Sequence, residues 1–242
     1  RGVWVFAEQR EGKIMPVTYE LLGIGRKLAN ELGENLSVIL LGNNLKEKVK
    51  ELLKYELEKI YLVESPSLKS YKTSLYTQAM VELVKRECPE IILVGATSLG
   101  RDFAPRVATR LRTGLTADCT DLKIDREKRN LIQTRPALGG NIMASIISPY
   151  HRPQIATVRP KVMRKAKPSN SKNTEVIEVE PHLNLDDELV KILDIIKEEK
   201  EVVDLQEAEI IVSGGRGLGK AENFSLIRKS GLVLLRNFVN GA

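Results

Sequence analysis

The chain has 242 residues, 42% of them hydrophobic and 29% charged, and 38 Lys and Arg against 32 Asp and Glu leave a net charge of +6. That is a folded globular composition, long enough for one large domain or two smaller ones. Two cysteines exclude a disulfide framework and a closed thiolate zinc site, and two histidines argue against a His-rich metal site or a Ser-His-Asp triad.

The first part alternates strand and helix signals. Residues 3–7 are a short apolar run, and 16–33 carry a helical pattern opened by Pro16 and closed by Gly33. A second run covers 36–41, followed by a helix over 45–53 with Leu45, Val49, Leu52 and Leu53 on one face. Residues 59–63 read as a third strand. Residues 71–87 read as a longer helix with Ala79, Leu83 and Val84 inward, and 91–95 as a fourth strand. Runs that are apolar throughout fit parallel strands covered on both faces. The order predicts an α/β fold, a doubly wound, mostly parallel, Rossmann-like sheet.

Beyond Arg112 the pattern changes. Residues 118–124, 131–135, 142–147 and 154–158 read as short strands that extend the sheet or add antiparallel strands at its edge. Residues 160–173, rich in Lys, Ser, Asn and Pro, read as an exposed connector. An edge strand is expected over 174–180 and an amphipathic helix over 186–200. A new unit then opens with a strand at 209–213, a Gly-rich turn and a helix from about Ala221. The predicted domains are therefore 1–200 and 201–242. No apolar run approaches the roughly 20 residues of a membrane span, and the visible start lacks the features of a signal peptide.

The sharpest local signal is Ser213-Gly214-Gly215-Arg216-Gly217-Leu218-Gly219-Lys220. A Gly-rich turn before a helix lets backbone N–H groups approach an anion, with Arg216 as charge partner. The same residues fit seven positions of a Walker A loop, but Ala221 stands where a magnesium-binding hydroxyl belongs. A tight turn that binds nothing is the plain alternative. After the fourth strand, Gly95 to Asp102 offers Ser98 as a helix cap and Asp102 for the helix's positive end. Arg101, Arg106, Arg110 and Arg112 make a basic helix, read first as a solvated face. Glu8-Gln9-Arg10 follows the first strand as a turn or a ligand contact. Cys119 reads as a small core residue and His151 as a surface group. Scattered basic residues with 5% aromatics do not make a nucleic-acid platform.

Five blocks together resemble the α subunit of electron transfer flavoproteins. They are VWVFAEQREGKIMPVTYELLG, VGATSLGRDFAPRVATRLRTGLTADCTDL, TRPALGGNIMASI, RPQIATVRPKVM and EIIVSGGRGLGKAENFSLI. The resemblance implies a heterodimer with a β subunit, on which the N-terminal domain packs, and a C-terminal domain that holds FAD. It implies an electron carrier rather than an enzyme in its own right, with an acyl-CoA dehydrogenase or similar flavoenzyme as partner. In the electron-bifurcating branch, which the GGNIMASI and RPQ wording suggests, NADH and ferredoxin join through the complex, and the β subunit holds a second FAD; otherwise it holds AMP. The implied compartment is the bacterial or archaeal cytoplasm rather than the mitochondrial matrix. Carried over residue by residue, the FAD contacts are Gly214, Gly215, Arg216 and Gly217. The family's later Gly-x-Ser-Arg, Gly-Gln-Thr-Gly and Gly-Ile-Ser-Gly-Ala segments have no counterpart here, because the match fades near Arg228. The expected FAD-binding domain is therefore incomplete, and a flavin-free scaffold for the β subunit is the alternative reading.

Overall fold

The computed structural model describes residues 2–137, 142–169, 173–185, 190, 192–195 and 210–239, the backbone alone for 232–239. The chain forms two compact units, Arg1–Lys191 and Ile192–Ala242.

The first unit is built on a seven-stranded sheet. Its strands are β1 (Val3–Ala7), β4 (Leu36–Gly42), β5 (Lys59–Glu64), β6 (Ile91–Gly95), β7 (Leu115–Cys119), β11 (Gln154–Val158) and β12 (Glu175–Val179). They lie in the order β12-β5-β4-β1-β6-β11-β7, and every neighbouring pair is parallel. The order reverses between β1 and β6, the switch point of a doubly wound fold. Strand β1 shows why the sequence does this. Its residues are all buried, and its side chains alternate between faces. Val3, Val5 and Ala7 join one core with α1 (Pro16–Leu32) and α2 (Lys46–Leu52). Trp4 and Phe6 join the other core with α3 (Thr73–Glu87) and α4 (Ser98–Leu111).

Helix limits follow local chemistry. Pro16 starts α1 without losing a hydrogen bond, and Gly33 ends it at φ 65°. Between β1 and α1, the short strands β2 (Gln9–Arg10) and β3 (Lys13–Ile14) form a hairpin. Its two turn residues, Glu11 and Gly12, have φ 50° and 78°, as a tight two-residue turn demands.

The strands expected beyond Arg112 divide in two. The segment read as one strand over 118–124 is broken at Thr120, into β7 and β8 (Asp121–Asp125). Strands β7 and β11 extend the parallel sheet. Strand β8 instead pairs antiparallel with β9 (Asn130–Pro136), and β9 with β10 (Met143–Ile146), as a separate three-stranded sheet. The connector is exposed over most of its described length, but it is tied down. The Ala166 N–H donates to the Tyr19 carbonyl and the Ser169 N–H to the Lys54 carbonyl. The Lys161 N–H donates to Glu20, a buried carboxylate whose pKa burial pushes up. A Cβ on Gly23 would overlap the Arg164 carbonyl oxygen, so the connector passes this closely only over glycine. It leads from β11 to β12 at the opposite edge of the sheet.

In the second unit, single helical turns at Arg216–Leu218 and Ala221–Asn223 precede α5 (Phe224–Val239). The predicted helix start near Ala221 falls three residues early. The predicted strand over 209–213 is not found: residues 210–213 have no regular structure. A strand needs a partner for its backbone groups, and among the described residues none pairs with it. Most of the helix expected over 186–200 lies outside the described residues.

Candidate functional site

Two places carry candidate chemistry. The first is the carboxyl end of the parallel sheet, where α/β proteins place their ligands. Glu8, fully buried, leaves the end of β1. Its Oε1 accepts from the Arg10 guanidinium at 3.1 Å, and its Oε2 accepts from the Thr97 hydroxyl. Arg10 also donates to the Ser98 hydroxyl. Thr97, not Ser98, caps α4: its hydroxyl accepts the Gly100 N–H at 3.0 Å. Gly100 has no room for a side chain, since a Cβ would overlap the Gly95 carbonyl oxygen. Asp102 does not serve the helix start either. It accepts the hydroxyls of Tyr71 and Thr73 and pairs with Arg106, and these partners hold its pKa down against the opposing effect of burial.

A second cluster lies at the ends of β7 and β11. The register shifts between Ala156 and Val158, a bulge that puts Asp118 at φ 62°. Such a bulge re-aims one side chain. Asp118 accepts two bonds from Arg159, at 3.2 and 2.6 Å, and a third from Arg101 at 3.2 Å. The hydrogen bonds from Arg159 hold the Asp118 carboxyl below its ordinary pKa. Every charge named in these two clusters is thus answered by another. Glu8-Gln9-Arg10 closes a turn, with the Gln9 amide donating to the Leu41 carbonyl and the Tyr76 hydroxyl. Cys119 is a buried core residue whose thiol burial pushes up to about 12. His151 is exposed. Asn141 lies outside the described residues, and so do three residues of its Gly-rich loop.

The second place is the turn at Ser213–Lys220, in the second unit. Gly214, Gly215, Arg216 and Gly217 sit together there because they are consecutive. Arg216 and Gly217 open a single helical turn, so their N–H groups have no acceptor within it. A Cβ on Gly215, Gly217 or Gly219 would meet nothing within 4 Å, which leaves open backbone along one side of the turn. Gly214 differs: its Cβ would strike Leu218 and crowd Ile227, so its glycine serves packing. Arg216 is exposed and makes no ion pair among the described residues. Open amides beside an uncommitted guanidinium fit a phosphate-bearing cofactor. They fit a Walker A loop poorly, because α5 starts only at Phe224 and Ala221 has no hydroxyl. Among the described residues no cluster of His, Cys, Asp and Glu could hold a metal ion. No helix among them is long and apolar enough to cross a membrane.

Comparison with known proteins decides the family. The model of the electron transfer flavoprotein domain matches residues 3–184. The chain belongs to the electron transfer flavoprotein family. An electron transfer flavoprotein subunit alpha from Thermoanaerobacterium thermosaccharolyticum is 49% identical over 234 residues, 97% of this chain and 71% of that protein. The acryloyl-CoA reductase electron transfer subunit beta of Anaerotignum propionicum is 46% identical over 91% of this chain and 66% of its own length. The lactate dehydrogenase (NAD(+),ferredoxin) subunit LctC of Acetobacterium woodii is 41% identical over 95% of this chain and 54% of its own length. The expectation of an electron-transfer subunit in a flavoprotein, rather than an enzyme, holds, and so does the doubly wound fold. The matched region of the electron transfer flavoprotein model covers the parallel sheet, its helices and the small antiparallel sheet.

Proposed function

We propose that this chain is the α-type subunit of an electron-carrying heterodimer, and that Gly214, Gly215, Arg216 and Gly217 form part of an FAD site. The observation that carries this reading is Arg216, an exposed guanidinium with no ion pair among the described residues, set beside open glycine backbone. An arginine suits a pyrophosphate or an anionic reduced flavin, because its planar fork donates two parallel bonds. FAD, when bound, supplies the electron-carrying chemistry. The chain's own residues bind and orient it and set local charge, and no general acid or base is required.

In this reading the first unit is the scaffold that meets a β subunit, with the domain division near 200, and the second unit opens the flavin site. The small antiparallel sheet supports a partner contact: Ile142, Met143, Ile146 and Ile147 on and beside β10 are exposed. Large exposed apolar groups along a strand mark a surface that another chain covers. The β subunit carries a second FAD or AMP. An acyl-CoA dehydrogenase or similar flavoenzyme is the exchange partner, in keeping with the name of the Anaerotignum relative. The Acetobacterium relative's name favours a bifurcating version that couples NADH and ferredoxin. The complex works in the cytoplasm.

The test is FAD affinity of the heterodimer co-expressed with its β subunit, with and without Arg216→Ala. Losing one charge-assisted contact should weaken FAD binding about tenfold. Unchanged affinity, in a heterodimer that still assembles, would remove Arg216 from the flavin site.

A further inference from the structure

The amino end of the same sheet holds a cavity of about 570 Å³ that the flavin reading does not use. It lies where α3 and α4 end and where the loop before β11 enters the sheet. Four cations line it: Lys85 in the last turn of α3, Arg110 in the last turn of α4, Arg112 just past it, and Arg152 before β11. Among the described residues no Asp or Glu lines it. Among the described residues Lys85, Arg110 and Arg112 make no ion pair. Arg152 donates to the carbonyls of Ser148, Pro149, His151 and Arg129 and to the Asn130 side chain, none of them charged.

The plain explanation is that these cations answer the negative ends of two helices. The helix dipoles account for only part of this charge. Two helix C-termini carry about −0.5 each, roughly −1 in all, against four positive charges. A surplus of about +3 remains. The neighbouring carboxylates are committed elsewhere: Glu90 to Arg129 at 2.7 Å, and Glu87 to Arg86 and the Tyr61 hydroxyl. Arg129 shows what a structural arginine does on this side of the molecule, with Glu34 and Glu90 both in reach. The cavity arginines do the opposite. Backbone geometry adds to this. Arg112 and Cys88, which both line the cavity, hold the left-handed C-terminal positions of their helices at φ 53°, where glycine sits at less cost.

We propose that this cavity is a binding site for a small phosphate-bearing anion, independent of the flavin site. Its volume suits a compact ligand. Three arginines and a lysine with no carboxylate partner among the described residues suit tetrahedral oxyanions, which take paired N–H donors. Val84 and Leu111 supply apolar contact, and among the described residues no aromatic side chain lines the cavity to stack a base. The recognised group is therefore a phosphate or pyrophosphate rather than a nucleobase.

The experiment is calorimetric titration of the full chain with inorganic pyrophosphate at physiological salt, with citrate as a carboxylate control. Saturable one-site binding of pyrophosphate is expected, and binding of citrate should be weaker. The Lys85→Glu, Arg110→Glu double variant should lose at least about tenfold in affinity per reversed charge. Both side chains are exposed, so folding should survive, and circular dichroism checks it. Arg112→Gln provides a second, milder variant expected to weaken binding in the same direction. No saturable binding to the unaltered chain, equal binding of citrate, or full affinity in the folded double variant would overturn the assignment.

Discussion

The two ends of the parallel sheet use charge in opposite ways. At the carboxyl end, where this fold class places ligands, Glu8 meets Arg10 and Thr97, and Asp118 meets Arg159 and Arg101. At the amino end Arg129 is paired with Glu34 and Glu90, but Lys85, Arg110 and Arg112 surround a cavity that no carboxylate lines among the described residues. Position in a fold therefore says less about a binding site than whether its charges are already spent. A buried pair that satisfies itself holds loops together, whereas surplus charge beside a cavity has work left to do.

The sharpest way to break this comparison is to open the carboxyl end. Glu8→Ala would leave the Thr97 hydroxyl without its acceptor and the Arg10 guanidinium with the Ser98 hydroxyl in place of its carboxylate. Removing one member of a buried pair costs about 3–5 kcal/mol, but Arg10 is half exposed and can turn to water. A loss of about 2–3 kcal/mol is expected. The chain has a single tryptophan, Trp4, buried in β1 of the same unit, so urea unfolding followed by its fluorescence reads the right region. A loss under about 1 kcal/mol would mean that the Glu8 contacts are idle and the crevice is free for a ligand.

Asp118→Asn tests the second cluster and should cost less, about 1.5–2 kcal/mol, because Arg159 and Arg101 both reach solvent. The effect depends on pH. Asp118 has its folded pKa lowered, so its contribution is present above the unfolded value of about 3.9 and fades as pH falls through the lower folded value. The variant should therefore lose part of the steep acid limb of stability below about pH 4. Parallel acid limbs in the two proteins would assign the acid sensitivity to another carboxylate.

The residues that were legible beforehand and those that were not differ in the range of their interactions. Strands β1, β4, β5 and β6 were readable because short, mostly apolar runs between helical patterns fit strands buried on both faces, and the helices between them repeat every three to four residues. The limits of α1 were readable because Pro16 and Gly33 act locally. Strand β8 was not, because nothing near 118–124 reveals that one half joins β11 and the other half β9. The clasp at Glu8 joins residues 89 apart in the chain, and the anchor from Glu20 to the connector spans 141. Neither a lone Glu after a strand nor one within a helix announces such a contact. The glycines of the second unit were legible as a turn, yet the strand predicted before them depends on pairing that no local pattern supplies. The cation cavity has no local signature for a related reason. Arg110 and Arg112 read as a solvated face until the ends of α3 and α4 are seen to meet the loop of Arg152.

The smallest expected effect sharpens the comparison from the other side, with a charge pair in neither end of the sheet. His182 follows β12 and lies exposed against α3, where its Nδ1 is 2.8 Å from Glu82 and its backbone N–H donates to the other Glu82 oxygen at 2.9 Å. The hydrogen bond that the His182 ring donates to Glu82 raises the His182 pKa, and partial burial works against the bonds from His182 that lower that of Glu82. A raised histidine stabilises fully below its unfolded value of about 6.5 and stops doing so as pH rises through its higher folded value. A lowered glutamate stabilises above about 4.3 and stops as pH falls through its folded value. The pair is thus strongest between those limits, and above them its charge assistance is gone. NMR titration should place the His182 pKa above its ordinary value, and Glu82→Gln should return it toward that value without shifting global unfolding. A histidine that titrates normally in the intact chain would show that the His182 side chain adds nothing to the backbone bond and the two Gln78–Asn184 bonds that hold the segment after β12.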